Sequence, residues 1–583
     1  MKRVWNVLGK LLRKESNVLT MVGDFETTTD INDVRVWASC LVNVEDFVIE
    51  QLGNDIESFI DFIANKNSVV YFHNLKFDGE FIIHYLLTHG FKLSDSKEDN
   101  TFNTLITDMG QFYSLTIYFK KMRKKYLKCT IYDSLKKLPF KVSVIAEAFK
   151  LEESKLVIDY KETRPLGHIL THEEKEYVIA DCMIVAKALH QQFEQGLTKM
   201  TIGADALSSF KQSIGVKNFE RWFPILPLNI DDDVRRAYKG GWTYLNPLYK
   251  GVRTKGLVLD VNSLYPWAMH ECPLPYGYPI AYDGGYKEDK VYPLYIQRFR
   301  CSFKVKKGFV PTVQLKGNHS YIQTEYLSTS HGAIEELTMT NVDYDLFRKH
   351  YVILNMEFIQ GYKFKSCQGI FNAYIDKWML VKANSTGGTR QGAKLMLNNL
   401  YGKFATNPKG AKKYPYLDKD SIVRYYNDGQ MLIDGHVVED PDYIETFRNP
   451  VFTPMGCFIT AHSRVKTITT AQDNIERFMY SDTDSEHLEG WKLPSNVEIH
   501  DTNLGAFKLE GKFEDCLFLR PKTYMETING ITHVTCAGMP DKVKEQVTYD
   551  NFTEGATYTG KLTPKRYKGG IVLQDTTFKI KKG

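Results

Sequence analysis

Nowhere in the 583 residues do two cysteines stand in a C-x-x-C pair, although nine are scattered from Cys40 to Cys536. An odd count without paired spacing argues against a zinc module or a disulfide framework and for reduced thiols. No uninterrupted apolar run approaches the ~20 residues of a membrane-spanning helix, which excludes a bilayer-spanning chain. Internal repeats and low-complexity tracts are missing too, so solenoids and compositionally biased arrays drop out. Nor does one sign of charge dominate: 75 Lys+Arg against 70 Asp+Glu leave a net +5. That balance permits a polyanionic partner without demanding one, because local patches decide.

What is present is a chain too long for one core, so two or more domains are expected. The amino terminus, MKRVWNVLGKLLRK, is basic and spaces Val4, Trp5, Leu8, Leu11 and Leu12 as a helix does. Lys10 and Arg13 interrupt it, so it reads as a short amphipathic extension rather than a secretory signal. Val18 to Phe25 reads as a buried strand ending in DFETTT. Ser68 to Phe72 is a second, leading into HNLKFDGEFIIHYLL, where a helix is expected to begin after the glycine. Thr171-x-x-Glu174 forms a capping box ahead of a long helical pattern. Strands alternating with helices over the first two hundred residues imply an α/β domain. Prolines and paired glycines near 224–247 read as an inter-domain connection. KGLVLDVNSLYP reads as a strand stopped by Pro266, and residues 388–404 read as a helix.

Acidic residues carry the chemistry. In YSDTDSEHLEG, Asp482 and Asp484 would share one face of a strand and repel each other unless a cation lies between. Alone, that pair is more readily a polar hairpin tip, and further carboxylates must be found before a metal is the better reading. Asp24 and Glu26 repeat the alternation, Asp78 follows the second strand, and Tyr177 and Asp181 stand one helical turn apart. Four acids from three elements are what two divalent ions need for phosphodiester hydrolysis, and Tyr177 could orient the attacking water. Asp260, ending the strand in LVLDVNSLYP, supplies a partner for the D-T-D pair. Between these lies GGTRQGAKLMLNNLYGKF, which puts Lys394, Asn398 and Tyr401 on one helix face, away from Leu395, Met396, Leu397 and Leu400. Phe77 and Phe81, one turn apart, could stack on bases or pack in a core. The run FKKMRKKYLK offers phosphate contacts.

The order D-x-E, N-x-x-x-D, Y-x-x-x-D resembles the three proofreading motifs of DNA polymerases with an RNase-H-like nuclease domain. D-x-x-S-L-Y-P with Y-x-D-T-D-S resembles motifs A and C of family B polymerases. The resemblance implies that Asp260 and Asp484 hold metal directly, with Val261 as a further metal and nucleotide contact and Asp482 assisting. It likewise implies metal binding by Asp24, Glu26, Asp78 and Asp181, and a place for Lys155 near the scissile phosphate. The helix resembles motif B, with Asn399 where serine is usual. Lys382 and Arg390 match further triphosphate-facing positions, and Tyr265 matches the tyrosine that excludes a 2′-hydroxyl. Thr27, His73, Asn74, Phe77, Phe81, Ser134 and Leu135 match single-strand contacts. Tyr238, Gly240 and Gly241 match the Y-x-G-G link, and Lys522 and Tyr524 the primer-holding K-x-Y.

Two insertions and a short total length resemble the protein-primed, phi29-type polymerases of bacteriophages. The fold implied is mixed α/β and α+β, an RNase-H-like exonuclease joined to a right-hand polymerase. Its expected parts are 1–200 exonuclease (1–17 the basic extension), 201–271 first palm part, 272–369 first insertion and 370–405 fingers. The second insertion, with a β-hairpin turning at Asp428-Gly429, takes 406–452, the second palm part 453–540 and the thumb 541–583. Implied as well are Mg2+ or Mn2+, two ions per site, and DNA, deoxynucleotides and a priming terminal protein as partners. A monomer or a heterodimer with that protein, in the cytoplasm of an infected cell, completes the expectation. The competing readings are a nucleic-acid-primed family B enzyme, a nuclease with a DNA-binding half, and a non-catalytic scaffold.

Overall fold

The computed structural model describes residues 18–122, 125–160, 162–315 and 325–582. The amphipathic extension of residues 1–17 lies outside them, as do Arg123 and Lys124 of the basic run. The rest of that run lies on the paired strands Phe112–Met122 and Lys125–Asp133, with Phe119 buried in the core.

The first two hundred residues build an eight-stranded sheet. Its centre is three parallel strands, Leu19–Thr27, Ser68–Phe72 and Lys125–Asp133. Alternation along the first strand decides what each face does. Met21 and Phe25 face the helices Ile56–Ala64 and Leu75–Thr88. Val22 faces the helices Val142–Phe149 and His172–Glu194, and with period two Asp24 and Glu26 share that second face. The Thr171–Glu174 capping box opens the long helix as its sequence requires.

A second sheet of seven strands is antiparallel throughout, in the order Ile531–Cys536, Thr523–Ile528, Phe507–Arg520, Gly256–Val261, Ser485–Glu489, Phe478–Asp482, Thr243–Leu245. Leu257, Leu259 and Val261 pack on the buried helix Thr453–Asp473, leaving Asp260 on the other face. A four-stranded sheet spans Leu274–Cys367. Helices Asn372–Asn384 and Gly387–Asn399 lie against each other, and their apolar sides enter the largest core.

Several local expectations are corrected. The helix after the second strand starts at Leu75, before rather than after Gly79, so Asp78 sits in its first turn. Gly79 fits there because a Cβ would come 3.3 Å from the Phe112 ring, contact that is tight but inside a helix. Pro266 lies inside the helix Leu264–Glu271; the strand ends at Val261 because Ser263 turns the chain at φ 55°. The 224–247 segment is no free connection, since it holds the helix Leu228–Arg235 and a strand of the seven-stranded sheet, with Trp242 fully buried. Residues 388–404 form two helices, Gly387–Asn399 and Tyr401–Phe404.

Asp428-Gly429 does not close a hairpin. Val423–Asn427 pairs back with Lys413–Leu417, and Gln430–Ile433 pairs forward with His436–Glu439. The tight turn of the second pair is Asp434-Gly435, with φ of 48° and 78°. Positive φ at both central residues gives the twist that two-residue hairpins need.

Candidate functional site

One cleft of about 1040 Å³ opens at the ends of the central strands of the eight-stranded sheet. Asp24, Glu26, Thr27, His73, Asn74, Phe77, Asp78, Lys155, Tyr177 and Asp181 all line it, though they come from four separate stretches of chain. The strand ends bring Asp24 and Glu26 to its floor. Asp78 enters from the first turn of one helix, and Tyr177 and Asp181 from successive turns of another.

Burial dominates the electrostatics here. It raises Asp24 to about 7, with Asp181 adding repulsion. Burial and the neighbouring Asp24 push Glu26 and Asp78 well above the carboxylate range. One cation answers them: Lys155 Nζ binds Asp181 Oδ2, while Asp181 Oδ1 is buried without a hydrogen-bond partner. Among the described residues no three acids stand close enough to form a closed ligand shell. An all-oxygen set with an orphaned carboxylate oxygen fits a hard divalent cation.

Two expected strand contacts are corrected. Phe81 is 1% exposed and packs in the core beneath the sheet, so no base can reach it, whereas Phe77 opens on the cleft. Ser134 is fully buried: its hydroxyl meets His73 Nδ1 at 2.9 Å, and His73 Nε2 meets the Phe140 carbonyl at 2.7 Å. It orients the histidine and does not touch the cleft. Leu135 is half-buried outside it. Sequence reading missed Tyr160, whose hydroxyl bonds that of Tyr177 from a loop without periodicity. It also missed the carboxy-terminal hairpin Thr557–Tyr567/Gly570–Lys579, which lends Leu562, Ile571, Val572, Leu573 and Asp575 to the cleft.

The second cluster sits where two strands of the seven-stranded sheet end. Asp482 and Asp484 do not share a strand face: Asp482 ends one strand and Asp484 lies in the turn beyond Thr483, at φ 65°. The turn separates their roles. Both oxygens of Asp482 take Lys522 Nζ, at 2.7 and 2.9 Å, and also the hydroxyls of Tyr480 and Thr243. Asp484 is turned toward Asp260, and its carbonyl accepts the Val261 N–H at 2.8 Å. Burial and then Asp484 raise Asp260 to about 7, offset by Lys508 and Lys394. Burial raises Asp484 as well. Lys522 therefore binds Asp482 directly and acts on Asp484 only through its field, while Asp484 in turn raises Asp260.

Gly241 presses on this turn, since a Cβ there would meet Thr483 Cγ2 at 2.5 Å, and the Thr483 N–H bonds the Trp242 carbonyl. Gly240 and Lys239 are held by their carbonyls on the buried Arg464, which pairs with Asp343. Tyr238 packs nearby against the same core as Tyr265 and Tyr401. Tyr524 stacks on Phe518 beside Tyr480.

On the helix Gly387–Asn399, Lys394 and Asn398 are exposed and the four aliphatic residues beside them are buried. Arg390 reaches the Lys382 carbonyl at 2.6 Å. Burial first, then Arg390 and Lys394, lowers the Lys382 ammonium. Three cations facing one space, opposite paired carboxylates, make a seat for a polyphosphate.

Half-buried acids at the strand ends of one sheet, with a cationic helix near them, define a nucleotidyl-transfer enzyme with a second, separate acidic cleft. Comparison places it. The profile of type B DNA polymerases, organellar and viral, matches residues 60–171 and 158–502, and the chain belongs to that family. It is 44% identical to the DNA polymerases of Bacillus phages B103 and phi29 over 96% of its length and 99% and 98% of theirs. With the DNA polymerase of Streptococcus phage Cp-1 it shares 32% over 96% of this chain and 98% of that one. Phi29 DNA polymerase complexed with primer-template DNA and incoming nucleotide superposes with a TM-score of 0.90 at 43% identity, covering 97% of this chain and 100% of that. Phi29 DNA polymerase complexed with single-stranded DNA gives 0.90 at 42%, with the same coverage. The protein is a phi29-like phage DNA polymerase, and the expected multidomain exonuclease-plus-right-hand architecture holds.

Proposed function

We propose that this polymerase extends DNA at Asp260 and Asp484 and proofreads 3′ ends in the cleft of Asp24, Glu26, Asp78 and Asp181. The observation carrying this reading is that the two acidic sets sit on different sheets, each with its own cation, Lys155 or Lys522. Each set fits Mg2+ or Mn2+, two per site, held by Asp260, Val261 and Asp484 in one and by the four cleft acids in the other. Bound there, such ions supply Lewis-acid polarisation of phosphate oxygens and lower the pKa of the attacking hydroxyl or water.

The chain's own groups do the rest. Lys382, Arg390 and Lys394 hold the triphosphate of a deoxynucleotide, and Asn398 lies one turn along the same face. The stacked Tyr265 and Tyr401 form a floor that a 2′-hydroxyl would clash with. Lys522 and Tyr524 steady the primer end, while Lys155 and Tyr177 position the scissile phosphate and its water. Phe77, Thr27, His73 and Asn74 cradle a frayed single strand. The relatives' complexes with primer-template and single-stranded DNA support these partners. By family likeness the first primer is the hydroxyl of a terminal protein, synthesis displaces the non-template strand, and replication takes place in the infected host's cytoplasm.

The test uses purified polymerase, the terminal protein encoded by the same phage, magnesium and one labelled deoxynucleotide. Label joined covalently to the protein supports priming on protein. Extension of DNA primers with no such transfer overturns protein priming alone.

A further inference from the structure

Three parts of the chain distant in sequence meet at one buried carboxylate. Glu80, on the helix Leu75–Thr88 behind the first acidic cleft, is fully buried. Its Oε1 takes Arg566 Nε at 2.8 Å and a second guanidinium nitrogen at 2.7 Å. The guanidinium lies 4.7 Å from the centre of the Tyr425 ring, which comes from the hairpin strand Val423–Asn427. Burial raises the Glu80 carboxyl, and Arg566 chiefly, with the Tyr425 hydroxyl beside it, acts against that rise. Glu80 Oε2 and that hydroxyl are each buried without a well-formed hydrogen bond, so the group is held mainly through Arg566.

Arg566 stands directly across the carboxy-terminal hairpin from Ile571, and its neighbours pair Lys565 with Val572 and Pro564 with Leu573. Ile571, Val572 and Leu573 are among the residues that this hairpin gives to the cleft of Asp24. The hairpin's turn sits hard against the helix Leu75–Thr88 and the loop that carries Val34. A Cβ on Gly569 would meet the Val34 carbonyl at 2.0 Å, and one on Gly570 the Phe81 ring at 2.4 Å. An isolated bridge, Ile422 to Lys568, ties the same turn to the Tyr425 hairpin.

We propose that Glu80, Arg566 and Tyr425 form a clasp that sets the wall of the nuclease cleft and so its hold on a single-stranded 3′ end. They are positioning residues, since none lines the cleft. The helix bearing Glu80 also carries Asp78, so one element fixes the wall relative to the acids. Arginine suits the task because its fork grips the carboxylate through two nitrogens while its plane covers the tyrosine ring. The proposal rests on the proofreading reading of that cleft.

The test compares Glu80→Gln, Arg566→Gln, Arg566→Lys and the double variant Glu80→Ala/Arg566→Gln, which leaves no unpaired buried charge. Degradation of a single-stranded oligonucleotide is measured with single-nucleotide insertion on a primer-template, and amide exchange is followed over residues 570–579. The glutamine variants should raise the nuclease KM about tenfold with kcat nearly unchanged, because the reacting groups stay in place. Exchange over 570–579 should rise, insertion should hold, and Arg566→Lys should restore much of the loss. Unaltered KM and unaltered exchange in the glutamine variants overturn the clasp. So does a parallel fall in KM-normalised degradation, kcat and insertion, which marks general loosening of the fold. A parent enzyme that degrades nothing overturns the proofreading reading instead, and the exchange arm then decides the clasp.

Discussion

The rings of Tyr265 and Tyr401 stack with centroids 3.9 Å apart and planes 20° from parallel. One comes from the helix Leu264–Glu271 that follows Asp260 and the other opens the short helix Tyr401–Phe404 just after the cationic one, so the contact joins metal side and triphosphate side. Aromatic pairs of this kind add about 0.5–1.5 kcal/mol beyond burial, enough to hold a ring in place as a barrier. Tyr265→Val should therefore admit ribonucleotides while deoxynucleotide insertion persists. Single-nucleotide kinetics decide it, and an unchanged sugar preference removes the barrier role.

The two acidic sets predict separable losses. Asp24→Ala with Glu26→Ala should cut 3′–5′ degradation about a hundredfold or more while incorporation on a matched primer-template continues. Equal loss of both activities in a folded variant contradicts two sites.

Unequal roles follow from the turn at Thr483. Asp484→Asn should lower nucleotide addition about a thousandfold and leave degradation intact, because the carboxylate facing Asp260 is lost. Asp482→Asn should cost less, since its charge is already answered by Lys522. If extension rates rank the other way at saturating magnesium, the assignment is reversed.

Glu486 is fully buried between Leu259 and Ser481, with neither carboxylate oxygen hydrogen-bonded. Burial pushes its carboxyl well up. Glu486→Leu should stabilise the fold by about 1–3 kcal/mol, the scale of an unsatisfied buried polar group. A lower unfolding midpoint in a thermal melt would show a partner that the static structure does not reveal.

The exposed hairpin Gln430–Ile433/His436–Glu439 carries Met431, Leu432, Ile433, Val437 and Val438 toward solvent. Excising 430–439 with a Gly-Ser closure should spare extension on single-stranded template. Copying through duplex, and product length per binding event, should fall several-fold. The cut spares Val423–Asn427, whose Tyr425 packs on the nuclease core. A variant that copies duplex as far and as fast as the parent makes the hairpin an ornament.

Periodicity and motif order, local properties both, were enough for the strands around Asp24 and Asp260, the capped helix with Tyr177 and Asp181, and the face shared by Lys394 and Asn398. A strand's alternation and a helix's turn follow from backbone geometry, whatever packs outside them. Phe77 and Phe81 show the limit. One turn apart on a helix, they look equivalent in sequence, yet one opens on the cleft and the other is sealed by Gly570 from the far end of the chain. Asp428-Gly429 shows it again: turn propensity does not choose which strands pair, and long-range packing of Tyr425 gave the turn to Asp434-Gly435. Only tertiary structure could bind Lys522 directly to Asp482 and set Asp484 beside Asp260, because charge partners are set by distances across the sheet that sequence separation does not encode.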